Sequence, residues 1–501
     1  MRLLSKTKLM ALRQCPLRLW LEVHRPELRE DSAATQASFT VGHSVGELAR
    51  QLYDPQGRGE LIEIDGRNFG AAFVRTRELL QERRPIFEAG FQGEGALAFA
   101  DVLLPHGRGA HTGWRMVEVK SSTRVHEHYR EDVAVQAFAA RASGLPLRAV
   151  ALAHIDSSWT YPGGGDYQGL LREEDLTEDA LARAGEVREW IAQAQAVVQR
   201  RRPPLAPPGA HCSTPYACGF QQHCQAQQPQ ARHPVQWLPY RGRKLDERLA
   251  ADGITELADV PDDWLNERQQ RVKAATLTGR PYFDRRASAQ ELAQHKLPAC
   301  FLDFETIQFA VPLWRGTRPY QQLPFQFSVH RLGRGGSIEH REFLDLSGDN
   351  PTLPLAQALI DACGRQGPIY AYNAGFEGGC IRALAERYPQ LAPALLALAE
   401  RLVDLLPVAR AHYYHPSQQG SWSIKVVLPA LCPDLSYDAL DGVQDGGGAQ
   451  QAFLEAIAPA TDADRRAVLR RQLLAYCRLD TWAMVRLWAA FTGVQHIQSK
   501  G

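Results

Sequence analysis

A chain of 501 residues with 45% hydrophobic and 23% charged residues buries several cores and suits two or three domains better than one, which excludes a disordered or fibrous protein. It contains no run of about 18 apolar residues, and its N-terminus, MRLLSKTKLMALRQCPLRLWLE, scatters Arg and Lys among the apolar positions, so neither a membrane span nor an export signal is expected. A net charge of +1 gives no global field to attract polyanions, so any nucleic-acid site has to be a local groove.

The N-terminal half reads as helices, then the strands IFEAGF, ALAFADVLL and WRMVEVKSS, the helix VAVQAFAARAS and the strand RAVALAHI, which is an α/β pattern. Asp101 interrupts an apolar strand. Glu118 and Lys120 lie two apart on the next one and share a face. Two carboxylates can hold a divalent cation that polarises a phosphate and acidifies bound water, while the lysine orients that water or neutralises developing charge. Taken alone, Glu-x-Lys is a weak signal and reads first as a surface ion pair on an edge strand. PPLAPP (203–208) and QAQQPQARHP (225–234) then break the periodicity on either side of Cys212, Cys218 and Cys224. With nine cysteines and no signal peptide, metal or cluster ligation in a reducing, cytoplasmic compartment is expected over disulfides, with zinc and unligated thiols left open.

An acidic strand, Glu-x-Lys on the following strand and a helix carrying Gln136 together resemble the PD-(D/E)xK nucleases, in particular the RecB-like branch that includes CRISPR-adaptation and AddB-type enzymes. The resemblance covers about residues 1–230 and implies a restriction-endonuclease-like domain. By it, Asp101 and Glu118 would bind metal, Lys120 and Gln136 would join the catalytic group, and Cys15, Cys212, Cys218 and Cys224 would hold a 4Fe-4S cluster that staples the domain's ends. The chain departs from the family at two places. Gly46 stands where a metal-binding histidine is usual, His43 being the nearby histidine, and Ala140 stands where a tyrosine is common. Glu88 offers an additional carboxylate.

Residues 231–296 read as a helical connector in which LDERLAADGITELADVPDDWL, with Gly253 between two amphipathic runs, resembles helix-hairpin-helix elements, with an ordinary spacer helix pair left open beside that reading. The strand PACFLDFET then sets Asp303 and Glu305 on one face, where like charges repel unless a cation lies between them. A hairpin (PFQFSVHRLGRGGSIEHREFLDL), the helix LAQALIDACG and the strand PIYAYN follow. Glu377 begins a helix near Asn373, and LLAYCRLDTWAMV stacks Tyr476 and Asp480 on one helical face. His412 and His415 lack cysteine partners and are not expected to bind zinc, and the glycine stretches GGGD (163–166) and DGGGAQ (445–450) read as flexible loops.

This order of D-x-E strand, N-x-x-F-acid turn and Y-x-x-x-D helix resembles the DnaQ-like 3'-5' exonucleases with an RNase H-like fold, over residues 297–501. The resemblance implies that Asp303, Glu305, Glu377 and Asp480 hold two Mg or Mn ions and that Tyr476 orients the attacking water. The family usually has aspartate at the position of Glu377, and Asp404 reads as a structural helper. The stretch from LVDLLPVARAHYYHP to GSWSIKVVLPAL also resembles a bacterial family known only as a domain of unknown function, in which such a unit follows a RecB-like nuclease. The expected protein is therefore a two-site, metal-dependent nuclease acting on DNA single strands or ends, in repair or defence, with RNA left open as substrate. Two alternatives stand beside it: one domain serves only as a binding scaffold, or the whole chain is a cluster-bearing nucleic-acid-binding protein that does not cleave.

Overall fold

The computed structural model describes residues 2–64 and 69–494; the ends of the two expected domains, at residue 1 and residues 495–501, lie outside the described residues. The fold is mixed α/β with several sheets. It divides into a first unit of Met1–Pro229 with Phe309–Gln321, and a second unit of Gln230–Gln308 with Gln322–Gly501. Among the described residues no helix is long and apolar enough to cross a membrane.

The first unit opens with β1 (Leu4–Ser5), followed by the helices α1 (Lys6–Gln14), α2 (Pro16–His24) and α3 (Ala33–Tyr53). The Ser5 side chain caps α1 by accepting from the Lys8 amide. Next come β2 (Glu60–Leu61), α4 (Phe69–Glu82), β3 (Ile86–Gly93), β4 (Ala96–His106), β5 (Gly113–Lys120), α5 (Glu127–Ala142), β6 (Leu147–Ile155) and β7 (Leu171–Asp175). The strands form one sheet in the order β2-β3-β4-β5-β6-β7, with β1 beside β4. β4 runs antiparallel to both β3 and β5, and α5 carries the chain over to β6, parallel to β5. Every residue of α5 from Asp132 to Ala140 is buried; its alanines let it lie close against β3, β4 and β6. The helices α6 (Thr177–Ala182), α7 (Ala184–Val198) and α8 (Gln221–Ala226) complete the unit.

In the second unit α9 (Gly242–Ala251), α10 (Glu267–Thr278), β8 (Tyr282–Phe283) and α11 (Arg285–Leu292) precede a sheet built from β9 (Ala299–Ile307), β10 (Leu323–Leu332), β11 (Ile338–Leu344), β12 (Ile369–Ala371) and β13 (Leu402–Asp404). The strand order is β11-β10-β9-β12-β13; β9, β12 and β13 run parallel, and the expected hairpin forms β10 and β11. α12 (Thr352–Cys363), α13 (Gly375–Arg387) and α14 (Ala392–Ala399) pack on one sheet face against Cys300, Leu302 and Phe304. The alternate residues Phe301, Asp303 and Glu305 therefore take the other face. After α15 (Leu405–His412), β14 (Tyr413–Tyr414) pairs with β8. The chain then forms α16 (Ile424–Leu431), α17 (Gly446–Ile457) and α18 (Ala463–Thr492), the last lying across β9 and β10.

Two local expectations are corrected. The second amphipathic run of the connector is not a helix: Pro261 removes a donor and holds Val260 extended, leaving the short 3-10 turns Leu257–Asp259 and Asp262–Trp264. The connector therefore lacks a helix-hairpin-helix and buries a small apolar core of its own, including Leu245, Leu249 and Leu257. The glycines after Asp445 are not a loop. They open α17, because the Asp445 side chain accepts from the Gly448 amide and the buried Ala449, Ala452, Phe453 and Ala456 anchor the turns that follow.

Candidate functional site

In the first unit β4 supplies Asp101 and β5 supplies Glu118 and Lys120, and all three line one cleft with Lys6, Glu88 and His43. Asp101 accepts from the Val119 amide at 2.7 Å. Glu118 is buried; its Oε1 accepts from Lys120 at 2.6 Å and from Lys6 at 2.9 Å, and its Oε2 accepts from Gln136, whose amide also donates to the Phe99 carbonyl at 2.7 Å. Both lysines reach Asp132 on α5 as well, at 2.6 Å from Lys120 and 3.2 Å from Lys6. Burial raises the Asp101 carboxyl well above its usual value, and neighbouring Glu118 adds to this. Burial would raise Glu118 too, but Lys120 and Lys6 outweigh it and hold that carboxyl below its ordinary range. Glu88 takes a φ of 56°, an uncommon conformation for a non-glycine residue that concentrates at functional sites.

The structure thus brings Asp101, Glu118, Lys120 and Gln136 together. It adds Lys6 and Asp132, which sequence reasoning missed. Asp132 lies one helical turn before Gln136, but on a helix with no polar face to mark it, and Lys6 is 112 residues from the carboxylate it meets. His43 lines the cleft from α3 with its side chain largely exposed and pairs with Glu47 at 3.3 Å.

The thiols of Cys15, Cys212, Cys218 and Cys224 line one small cavity. Cys15 joins the end of α1 to the start of α2, and the Cys218 amide donates to the Cys212 carbonyl at 2.8 Å. Burial pushes the Cys224 thiol up to about 11, with smaller contributions from the other three sulfurs. Four converging cysteine sulfurs are a donor set that fits an iron-sulfur cluster or zinc.

In the second unit Asp303 and Glu305 on β9 face α18, which carries Tyr476, Cys477 and Asp480. One ligand atom each of Asp303, Glu305 and Cys477 lie within 4.8 Å of one another. The Cys477 thiol donates to Asp303 at 3.7 Å, and the Tyr437 hydroxyl donates to Asp480 at 2.6 Å. Burial raises Asp303 well above the usual carboxylate value, with Asp480, Glu305 and Glu377 adding to it in that order. Glu305 is raised in the same way, first by burial and then by Asp480. Glu377, in the first turn of α13, is buried with its Oε2 unpartnered, and burial pushes its carboxyl up to about 8. Lys425 faces the group, 5.1 Å from the Tyr476 ring centre and 5.4 Å from that of Tyr437. Asp404 accepts from the Asn373 amide at 2.9 Å and caps α15, a structural role. Tyr437, Lys425 and Cys477 were not singled out from sequence. Cys477 is adjacent to Tyr476, and Lys425 lies within the quoted GSWSIKVVLPAL segment, whereas Tyr437 comes from a stretch that no motif covers.

These buried acids give the metal-free protein a defined pH response. Asp480 is pushed to about 6 and Glu377 to about 8, both above their ordinary values, so the folded state favours their protonated forms. The associated stability is fully present at low pH and is lost as pH rises through about 6 and then about 8. A divalent cation held by these carboxylates would bind their ionised forms, so a rise in Tm on adding Mg or Mn should grow from about pH 5 to about pH 9. Thermal unfolding in chelator and in metal checks this, and a metal effect independent of pH would contradict it.

Residues 300–423 match the model of a family described as a domain of unknown function (DUF2779). The matched stretch contains Asp303, Glu305 and Glu377 and stops before Tyr437, Tyr476 and Asp480. No curated protein matches the chain.

Proposed function

We propose that this chain is a metal-dependent nuclease that hydrolyses DNA phosphodiester bonds at single strands or ends and carries two sites: a restriction-endonuclease-like one in the first unit and an RNase H-like, DnaQ-type one in the second. The observation that carries the reading is the convergence of Asp303, Glu305, Glu377 and Asp480 into one acidic group: burial raises every one of these carboxyls, and at Asp303 and Glu305 repulsion from other members of the group adds to it. A fold has no packing reason to collect such charge, and divalent cations relieve it.

Bound Mg or Mn would supply Lewis-acid polarisation of the phosphate and an acidified water. The residues' own work divides as follows. Asp303, Glu305, Glu377 and Asp480 hold the cations, and the Tyr476 hydroxyl, beside Asp480, accepts the water's hydrogen bond and aligns it. In the first unit Asp101 and Glu118 hold metal, Gln136 fixes Glu118 from behind, and Lys120 faces the phosphate. The four cysteines hold a 4Fe-4S cluster with a structural role.

The test is cleavage of end-labelled single- and double-stranded DNA and of RNA with Mg or Mn, by anaerobically purified protein and its Lys120→Ala, Asp303→Ala and double variants. Each single change is expected to remove a distinct product pattern and the double change all cleavage. A double variant that cuts like the parent would overturn the assignment of both sites.

A further inference from the structure

Next to the first unit's carboxylates and lysines lies a group of rings that metal binding does not use. His126 stands at the N-cap of α5, and His128 and Tyr129 lie in its first turn. The ring centres are 5.4 Å apart for His126–His128, at 21° between planes, and 4.2 Å apart for His128–Tyr129. Tyr216 joins them edge-on to His128 at 5.0 Å. Lys120 Nζ sits 5.4 Å from the Tyr129 ring centre, which joins the rings to the cleft. Arg124, exposed, reaches His126 at 3.4 Å.

Tyr216 comes from a different part of the chain, the loop between Cys212 and Cys218. It is 48% exposed, a large ring left half in water beside a charged cleft. Its position is fixed from behind: the Gln14 side chain, one residue before Cys15, donates to the Tyr216 carbonyl at 2.7 Å and to the His211 carbonyl at 2.6 Å.

We propose that Tyr216, with His126, His128 and Tyr129, is a stacking platform for a nucleobase of single-stranded nucleic acid whose neighbouring phosphate enters the Lys120 cleft. The proposal rests on the nuclease reading of that cleft. Rings flanked by Lys120 and Arg124 alternate π faces with cations, the arrangement that single strands use for bases and backbone. An intact duplex keeps its base faces covered and offers one only at a frayed end. Because the platform's outer ring rides on the cysteine loop, single-strand binding also depends on the four cysteines.

The test uses full-length protein carrying Asp101→Asn and Asp303→Asn, which removes cleavage, with single-stranded oligonucleotides bearing 2-aminopurine at successive positions and a blunt duplex as control. The platform predicts quenching at one position. Tyr216→Ala should abolish that quenching and weaken single-strand binding about 5- to 150-fold, with duplex binding unchanged, while Tyr216→Phe and Tyr216→Trp should retain both signals. Equal binding and quenching by Tyr216→Ala overturns the platform, as does equal loss on duplex. If Tyr216→Ala fails to fold, loss of quenching in the Trp variant overturns it instead. Failure of the parent to bind any nucleic acid overturns the nuclease reading itself, a separate outcome from Tyr216-independent binding.

Discussion

Asp303→Asn is expected to lower hydrolysis by the second unit by at least about 10³-fold while leaving the metal-free protein as stable as the parent or more so. Asp303 is the member of the acidic group with the most like-charged neighbours: Asp480, Glu305 and Glu377 all raise its carboxyl beyond the effect of burial. Asparagine keeps the side chain's shape and still accepts from the Cys477 thiol. It cannot ionise, so the burial and repulsion that oppose ionisation of Asp303 no longer cost the metal-free fold as pH rises. The same change removes the charge that makes cation binding favourable. Loss of metal-derived transition-state stabilisation of about 4 kcal/mol corresponds to about 10³ in rate. The measurement is single-strand degradation in a Lys120→Ala background, paired with a Tm in chelator. A variant that retains parental rates in that background would remove the second unit from catalysis, and a large fall in Tm would mean that Asp303 serves packing.

The contrast between the two halves shows what a linear sequence carries. In β9, ACFLDFETI, the alternation of Cys300, Leu302 and Phe304 with Phe301, Asp303 and Glu305 is readable because strand period alone assigns the faces. Tyr476 and Asp480 are readable for the same reason on a helix. α5 is less informative: it is buried from Asp132 through Ala140, so no polar face marks Asp132 as special and only the fold reveals it against Lys120 and Lys6. Lys6 and Glu118 meet because β1 pairs with β4 and α1 starts directly after it, a long-range pairing with no local signature. The glycines after Asp445 misled for the opposite reason. Their low helix propensity is overridden by a side-chain cap and by tertiary burial of the residues behind them.

Cys212→Ser carries the second large expected effect, and it acts on the fold. Around the cysteines little apolar burial holds the chain: α8 has no buried residue, and Cys212 and Phe220 are the buried side chains of the segment from Ala210 to Ala226. On the proposed reading, ligation supplies the order that packing does not. It closes a loop of almost two hundred residues between Cys15 and Cys212. A crosslink over a loop of that length contributes about 4 to 5 kcal/mol through the chain entropy it removes from the unfolded state. In a unit of this size that corresponds to a fall in Tm of roughly 10 to 20 °C. Because Cys15 ends α1, loss of the cluster also frees the helix that carries Lys6 and Gln14, so the Lys6–Glu118 pair and the hold on Tyr216 should loosen together. Anaerobically purified parent protein should be coloured and contain iron and sulfide, Cys212→Ser should lose both with the Tm shift, and Cys432→Ser, buried in the second unit, should keep them. A colourless parent holding one zinc per chain would replace the cluster with zinc and leave the stapling argument intact. A Cys212→Ser protein with parental iron and Tm would remove Cys212 from the ligand set and leave this loop held by packing alone.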